Sequence, residues 1–152
     1  MGDTPSLNAQ ELFVNKIIRR ARNGVLEDLR EELEQGPSGR MPDPAMIVRH
    51  EWFQTLDDEA KDQVLQVASE AVDGALFGAM VILDRMSGGY AISDEPSDFA
   101  LYLQTYDNED LLWENSPASK IRINDELSGE YLHDLYNWAV EESERVSREE
   151  KE

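Results

Sequence analysis

The sequence predicts an α+β fold that is mainly helical, with a long buried central helix packed by N- and C-terminal helices and a small antiparallel β-meander. Three observations predict this fold class. An apolar stripe with helical spacing runs through residues 55–86, shorter helical stripes lie on both sides of it, and residues 98–106 alternate with a period of two. The 152 residues and the 40% hydrophobic content suit a single domain, 1–152, with one sizeable core.

The stretch from Thr55 to Met86 is predicted to be the central helix, with Thr55 as its capping hydroxyl and Asp58 in its first turn. Its first half has apolar side chains at steps of three and four: Ala60, Val64, Val67, Ala68 and Ala71. Its second half, the thirteen residues 71–83, is interrupted only by Asp73 and two glycines. A helix that is apolar nearly all round needs cover on several sides, and a bilayer requires about 20 residues. We therefore expect this helix to be buried in a soluble domain.

Small residues cluster on the second half of the central helix. Gly74 and Gly78 stand four residues apart, with alanines at 71, 75 and 79 nearby. Such a strip allows another backbone to approach closely. We expect that backbone to belong to the same domain, and self-association into a homodimer is the alternative.

Helical stripes are also predicted before the central helix. Asn8 and Glu11 have the spacing of a capping box ahead of the first stripe, and Asn23 with Gly24 can break or kink the helix before the second stripe begins. Residues 36–44 hold three of the six prolines and are predicted to be a loop within the domain. Residues 45–54 have the pattern of a short helix. The apolar residues of these elements are Phe13, Val14, Ile17, Ile18, Ala21, Val25, Leu26, Leu29, Leu33, Ile47, Val48, Trp52 and Phe53.

The first stripe contains the only basic cluster of the sequence, made of Lys16, Arg19, Arg20 and Arg22. Aromatic residues are not interleaved with these cations, and the remainder of the chain is acidic. The cluster is therefore predicted to be a solvated or internally paired face rather than a nucleic-acid-binding arm.

The periodicity beyond the central helix is that of strands. On one face of residues 98–106 lie Phe99, Leu101 and Leu103, and on the other lie Ala100, Tyr102, Gln104 and Tyr106. Short strands are also predicted at 90–92, 111–113 and 120–123, which gives the small antiparallel meander.

A closing helix is predicted from about Ser128. Its core-facing stripe is formed by Tyr131, Leu132, Leu135, Trp138 and Ala139. Residues 1–7 and about 146–152 are predicted to be frayed ends.

The sequence has 33 acidic and 14 basic side chains, a net charge of −19, and residues 86–152 alone hold 17 acidic and five basic ones. This charge repels phosphates and anionic lipids, so we expect no direct nucleic-acid binding and no membrane association. It attracts basic partners. The chain has no cysteine, and its first residues lack a basic region followed by an apolar run. Both features favour a cytoplasmic protein.

Catalytic motifs are largely absent from the sequence. It has no phosphate-binding glycine loop, no dinucleotide fingerprint, no nucleophile elbow and no zinc-protease helix, so a non-enzymatic role is favoured and no cofactor is expected. The enzyme alternative is a divalent-metal-dependent phosphohydrolase, in which Glu70 and Asp73 hold the ion with help from Glu51 or His50. His50 and His133 are otherwise expected to be ordinary helix-surface histidines.

The favoured site is a binding patch in the acidic C-terminal half. Between Met86 and Ser119 the chain has seven carboxylates and no Lys or Arg, with aromatic residues among them. Aromatic anchors ringed by carboxylates are typical of a surface that recognises cations. The predicted binding residues are Tyr102, Tyr106, Asp107, Glu109, Asp110, Trp113 and Glu114. The alternative for the two tyrosines is burial beneath a second helix.

These observations predict a non-catalytic, strongly acidic protein-binding module that engages a basic protein partner. In size, acidity and lack of cysteine, the chain resembles small bacterial-type proteins, among which inhibitors and toxin-neutralising immunity proteins are common. The alternative functions are the phosphohydrolase and a structural homo-oligomer held by an apolar face.

Overall fold

The computed structural model describes residues 8–84, 100–106, 117–124 and 131–149. The elements are α1 (Ala9–Ile17), a π-helical segment (Ile18–Asn23), α2 (Gly24–Gln35), α3 (Pro44–Gln54), α4 (Asp58–Leu83), β1 (Tyr102–Thr105), β2 (Ser119–Arg122) and α5 (Leu132–Glu149). The predicted class, a mainly helical α+β fold with a small antiparallel sheet, is confirmed. The strands predicted at 90–92 and 111–113 and the frayed end at 1–7 lie outside the described residues.

The chain divides into two compact units. One comprises Met1–Lys16 and Phe77–Glu152, and the other comprises Ile17–Leu76. Each has buried apolar side chains of its own: Val14, Met80, Ile123, Leu132 and Tyr136 in the first, and Ile18, Leu33 and Phe53 in the second. The assignment of the whole chain to a single domain stays a prediction.

In the Ile17–Leu76 unit, the chain passes from the π-helical segment into α2 without a break. Asn23 and Gly24 both have right-handed helical dihedral angles, so this pair does not interrupt the helix. α2 ends at Gly36, whose φ of +89° lies in the region that glycine adopts without a Cβ penalty. α3 then starts at Pro44, where Asp43 caps it by accepting a hydrogen bond from the Ala45 backbone N–H.

Two further helix starts show where capping chemistry was predicted correctly and where it was not. The capping box at α1 is confirmed, since the Glu11 N–H donates to Asn8 Oδ1 and the Asn8 N–H donates to Glu11 Oε2. The prediction that Thr55 caps α4 is wrong. Thr55 instead donates its hydroxyl to the carbonyl of Trp52 at the end of α3, and Asp57 caps α4.

The prediction that α4 is buried along its length is also wrong. Of its 26 residues only Met80 is buried, and Val67 is 64% exposed. By length and composition α4 could cross a membrane, and only 6% of its most apolar window is buried. Six apolar residues of α4 are exposed, and four of them, Ala71, Gly74, Ala75 and Ala79, have little side chain to remove from water. Leaving these four positions exposed therefore costs little hydrophobic free energy.

In the other unit, β1 and β2 form a two-stranded antiparallel sheet, which confirms the strands predicted within 98–106 and at 120–123. Tyr102 lies opposite Arg122 in the register. Asn124, directly after β2, is buried and ties the hairpin to the end of α4. Its Oδ1 accepts from the Leu101 N–H at 2.7 Å, and its Nδ2 donates to the Leu83 carbonyl at 2.7 Å.

α5 is anchored in the same unit by Leu132 and Tyr136, which are 0% and 1% exposed. The predicted core-facing stripe is therefore correct for Leu132 but wrong for Trp138, which is 62% exposed. Trp138 lies six positions after Leu132, which places the two side chains about 120° apart around the helix. The buried side of α5 passes through Tyr136 instead.

Candidate functional site

Only two residues of the predicted binding patch, Tyr102 and Tyr106, fall within the described part of the chain. Tyr102 is 41% exposed on β1, and Tyr106 directly after β1 is half-buried. The Tyr106 hydroxyl donates to Gln104 Oε1 at 2.9 Å. The other five predicted residues lie outside the described residues: Asp107, Glu109, Asp110, Trp113 and Glu114.

The pairing of the two strands brings cations to Tyr102 from a distant part of the sequence. Lys120 on β2 places its Nζ 4.0 Å from the centre of the Tyr102 ring, and Arg122 lies opposite Tyr102 in the register. The segment between Met86 and Ser119 has no Lys or Arg, but the antiparallel register supplies two such residues to the same face. A cation of the same chain therefore already lies over the Tyr102 ring, which leaves less of that ring accessible to a partner.

The two carboxylates predicted to bind a metal ion in the enzyme alternative, Glu70 and Asp73, are hydrogen-bonded to side chains of the same chain. Asp73 accepts two hydrogen bonds from the guanidinium of Arg22, at 2.6 Å from Nε and 3.0 Å from the terminal nitrogen. Glu70 is exposed and accepts from the side-chain amide of Gln66. Within the described ranges, no group of three or more His, Asp or Glu side chains is placed to hold a metal ion. The phosphohydrolase stays a prediction that would require the Arg22–Asp73 pair to open.

The two histidines occupy different surroundings. His50 donates from Nδ1 to the carbonyl of Leu33 at 2.9 Å, and thereby satisfies a carbonyl near the end of α2. His133 was predicted to be an ordinary helix-surface residue, but it is mostly buried and forms an edge contact with Phe77. Its Nδ1 lies 2.8 Å from Oδ2 of Asp84, a side chain that is 3% exposed. His50 therefore caps a helix, and His133 packs into the start of α5.

The strongest candidate for a recognition surface lies on α5, on the side opposite to its buried residues. Trp138 is the most exposed aromatic residue of the described chain. Asp134 lies four positions before it and Glu141 three positions after it, so both carboxylates lie on the same side of the helix as the indole. We call this surface, made of Asp134, Trp138 and Glu141, the Trp138 face.

The carboxylates of the Trp138 face are available to a ligand. The Asp134 side chain is 69% exposed and comes no closer than 3.6 Å to His133 Nε2. Glu141 is exposed and forms no ion pair with any described residue. The Trp138 ring therefore stands between two carboxylates that retain most of their capacity to accept hydrogen bonds.

Arg145, the next described cation along α5, is paired with carboxylates of the same helix. Arg145 donates to Glu142 Oε1 at 2.6 Å and to Glu149 Oε1 at 2.7 Å. The hydrogen bond from Arg145 lowers the pKa of the Glu142 carboxyl, and the same bond raises the pKa of Arg145. Because one guanidinium is shared by two carboxylates, this turn of α5 adds negative rather than positive charge to the surface.

The Trp138 face is held in place from the start of α5. Asp84 accepts from both the backbone N–H and Nδ1 of His133 through the same oxygen, at 2.9 Å and 2.8 Å. The His133 ring lies between Phe77 and Tyr131, stacked on Tyr131 at 5.5 Å between ring centres. With Leu132 and Tyr136 buried beneath it, the helix presents Trp138 on a fixed support.

Sequence reasoning assigned Trp138 to the core and so missed this surface. The available signal was the charge around the tryptophan, because core positions of a helix are not usually flanked by carboxylates at both four positions before and three positions after. Tyr136 gives the same signal in reverse, with apolar Leu132, Ala139 and Val140 at its own helical neighbours. A comparison of the helical neighbours of the two aromatic residues would have assigned Trp138 to the surface and Tyr136 to the core.

A comparison of the chain with protein-family models, curated proteins and solved structures found no match. A proposal about function therefore rests on the chemistry of the Trp138 face itself.

Proposed function

We propose that the protein is a non-catalytic binding module that engages a basic segment of another protein through the Trp138 face. The observation that carries the proposal is an indole, 62% exposed, between the exposed carboxylates of Asp134 and Glu141. A Lys or Arg side chain can lie over an indole face and donate hydrogen bonds to a neighbouring carboxylate. Tryptophan is also among the residues that most often dominate the energy of a protein interface.

The charge of the whole chain supports the same class of partner. A net charge of −19 attracts a basic protein over long distances and raises the rate of encounter at low salt. The Trp138 face then supplies short-range contacts, which charge alone does not provide. An inhibitor or immunity-like protein, acting in the cytoplasm on a basic target, is the more specific form of this proposal.

The proposal is tested with an oligo-arginine peptide as the defined probe, titrated against the full chain at low and high salt. Trp138→Ala is expected to weaken binding by about 2- to 30-fold, because it removes the ring on which the guanidinium lies. Asp134→Asn combined with Glu141→Gln is expected to weaken binding further and to flatten its dependence on salt. The exposure of Trp138 makes a folding defect in its alanine variant unexpected.

Trp52→Ala is the matched control. Trp52 is also about half exposed, but Val48 and Thr55 occupy the positions where Trp138 has carboxylates. Its replacement should leave the affinity unchanged. Capture from the native host extract with wild type and Trp138→Ala then identifies the natural partner. Equal binding by the Trp138→Ala and Trp52→Ala variants, or no binding of the peptide at low salt, contradicts the proposal.

A further inference from the structure

One side of α4, none of whose residues is fully buried, carries a regular apolar pattern. Its positions are separated by alternating steps of four and three residues: Ala60, Val64, Val67, Ala71, Gly74, Gly78 and Val81. This spacing is the heptad repeat of helices that pair side by side. Every one of the seven positions is apolar, and we call this face the α4 seam.

The middle of the α4 seam is exposed in the structure, at Val67, Ala71 and Gly74, whereas Ala60, Val64, Gly78 and Val81 are partly covered. Val67 is 64% exposed, and a Cβ added at Gly74 or Gly78 would have no atom within 4 Å beyond its own helix. Contacts of α4 lie elsewhere around its circumference, for example where Asp73 binds Arg22. The stretch of the seam from Val67 to Gly74 is therefore an apolar helix surface that the described residues leave exposed.

We propose that the α4 seam pairs with the same seam of a second copy of this chain, with the two helices antiparallel. The first reason is steric. Two of the three valines, Val64 and Val67, lie in the first half of the seam, whereas both glycines, Gly74 and Gly78, lie in the second half. An antiparallel pair sets the valines of each copy against the glycines of the other, and large side chains then fill the space above small ones. A parallel pair sets glycine against glycine and valine against valine, so the two helices would have to lie closer together at the glycines than at the valines.

The second reason is charge. The first half of α4 carries one cation, Lys61, and four exposed carboxylates, whereas residues 74–83 have no charged side chain. The four carboxylates are Asp58, Glu59, Asp62 and Glu70. An antiparallel pair places each acidic half against the uncharged half of the other helix. A parallel pair would place like charges side by side, which is destabilising. Because both halves belong to one helix, the surface complements itself, as a two-fold symmetric dimer requires.

Salt distinguishes this dimer from the binding of a basic partner. Two copies that each carry a net charge of −19 repel one another, so screening should strengthen the dimer as salt rises. The same screening weakens attraction between the Trp138 face and a cationic peptide. The two proposals can therefore fail independently of each other.

The experiment is sedimentation equilibrium of the full chain over a wide concentration range, at low and high salt. We expect a monomer–dimer equilibrium that shifts towards dimer at high salt. Gly74→Leu combined with Gly78→Leu should raise the dissociation constant by at least about tenfold, because it fills the space the valines occupy. The monomer should keep or gain thermal stability, since leucine favours a helix more than glycine and the site is open.

Ala79→Leu is the matched control, because Ala79 is exposed on the same helix but lies off the seam. It should leave the dissociation constant unchanged. A chain that stays monomeric at every concentration and salt, or equal dissociation constants for the control and the double glycine variant, overturns the proposal. Vesicles of neutral phosphatidylcholine provide a second probe. Binding to them without dimer formation would assign the seam to lipid and also overturn it.

Single cysteines test the orientation, because the chain has none of its own. Ala71 lies near the middle of the seam, so in an antiparallel dimer Ala71→Cys should form a disulfide with itself under mild oxidation. Ala60→Cys should not, because the two copies of that residue would lie about 30 Å apart. An efficient disulfide from Ala60→Cys would overturn the antiparallel arrangement.

Discussion

The Arg22–Asp73 pair offers the sharpest test of how the Ile17–Leu76 unit is held together. The Arg22 side chain is 8% exposed and that of Asp73 is 25% exposed, with 2.6 Å between Arg22 Nε and Asp73 Oδ1. Removing one partner of a buried ion pair typically costs about 3–5 kcal/mol, since the other charge is left without compensation. Ser69 and Asn23 still offer acceptors to the guanidinium, at 3.4 Å and 3.2 Å. We therefore expect Asp73→Asn to cost about 3 kcal/mol, at the lower end of this range.

The change is measured by urea unfolding followed by far-ultraviolet circular dichroism. For a chain of this length, about 3 kcal/mol corresponds to a fall in melting temperature of roughly 6–12 °C. Glu70→Gln is the matched control, because Glu70 is exposed on the same helix and its hydrogen-bond partner in the described part of the chain is the neighbouring Gln66. That substitution should change the free energy of unfolding by less than about 0.5 kcal/mol.

A second variant separates the cost of an unpaired charge from the value of the pair itself. Arg22→Met combined with Asp73→Leu removes both charges and keeps apolar volume, so it should cost less than Asp73→Asn alone. If Asp73→Asn is neutral, or if the double variant is the less stable of the two, the reasoning is wrong. If Asp73→Asn leaves stability unchanged but abolishes binding of Mg²⁺ by the chain, the phosphohydrolase alternative would gain support instead.

Three further changes test other parts of the structure. Phe53→Ala should cost about 3–5 kcal/mol in urea unfolding, because Phe53 is 1% exposed, whereas Val48→Ala on the exposed side of the same helix should cost less than about 0.5 kcal/mol. Gly36→Ala should cost about 1 kcal/mol or more in the same assay, since φ is +89° and the new methyl would lie 3.4 Å from the His50 ring. Arg145→Gln should raise the pKa of Glu142 towards its ordinary value, measured from the carboxyl chemical shift. In the wild type, the lowered pKa means that the pair stabilises the end of α5 at neutral pH and that this contribution is lost as pH falls through that pKa.

The sequence predicted the helical elements and the hairpin because their signals are local. The capping box of α1 and the alternation around Tyr102 each depend on residues a few positions apart, and both are confirmed. What it could not predict is which side of an element meets the rest of the chain. Trp138 and Tyr136 lie two positions apart, and both are large aromatic residues that a core can accept.

The surroundings of the earlier predicted sites, Asp73 on α4 and Tyr102 on β1, were harder to predict because they depend on contacts between distant residues. The Arg22–Asp73 pair joins residues 51 positions apart. The local sequence therefore shows neither that the arginine is buried nor that the aspartate is hydrogen-bonded to it. The same holds for Lys120 over Tyr102, which follows from strand register. The openness of α4 was missed for another reason, because alanine and glycine count as apolar in a sequence pattern while contributing little area to bury.

The cap that Asp84 places on α5 makes the Trp138 face a property of the folded unit rather than of its own segment. Asp84 lies 49 positions before His133, so the first turn of α5 gains its acceptor only after the chain has closed a long loop. A peptide of residues 131–149 would lack that cap and the burial of Tyr136, and most of the stability of a helix in a protein comes from such tertiary packing. A partner that needs Asp134, Trp138 and Glu141 on one side of a rigid helix would therefore bind the folded chain but not its unfolded or proteolysed forms. Recognition through α5 would in this way also report that the protein is intact.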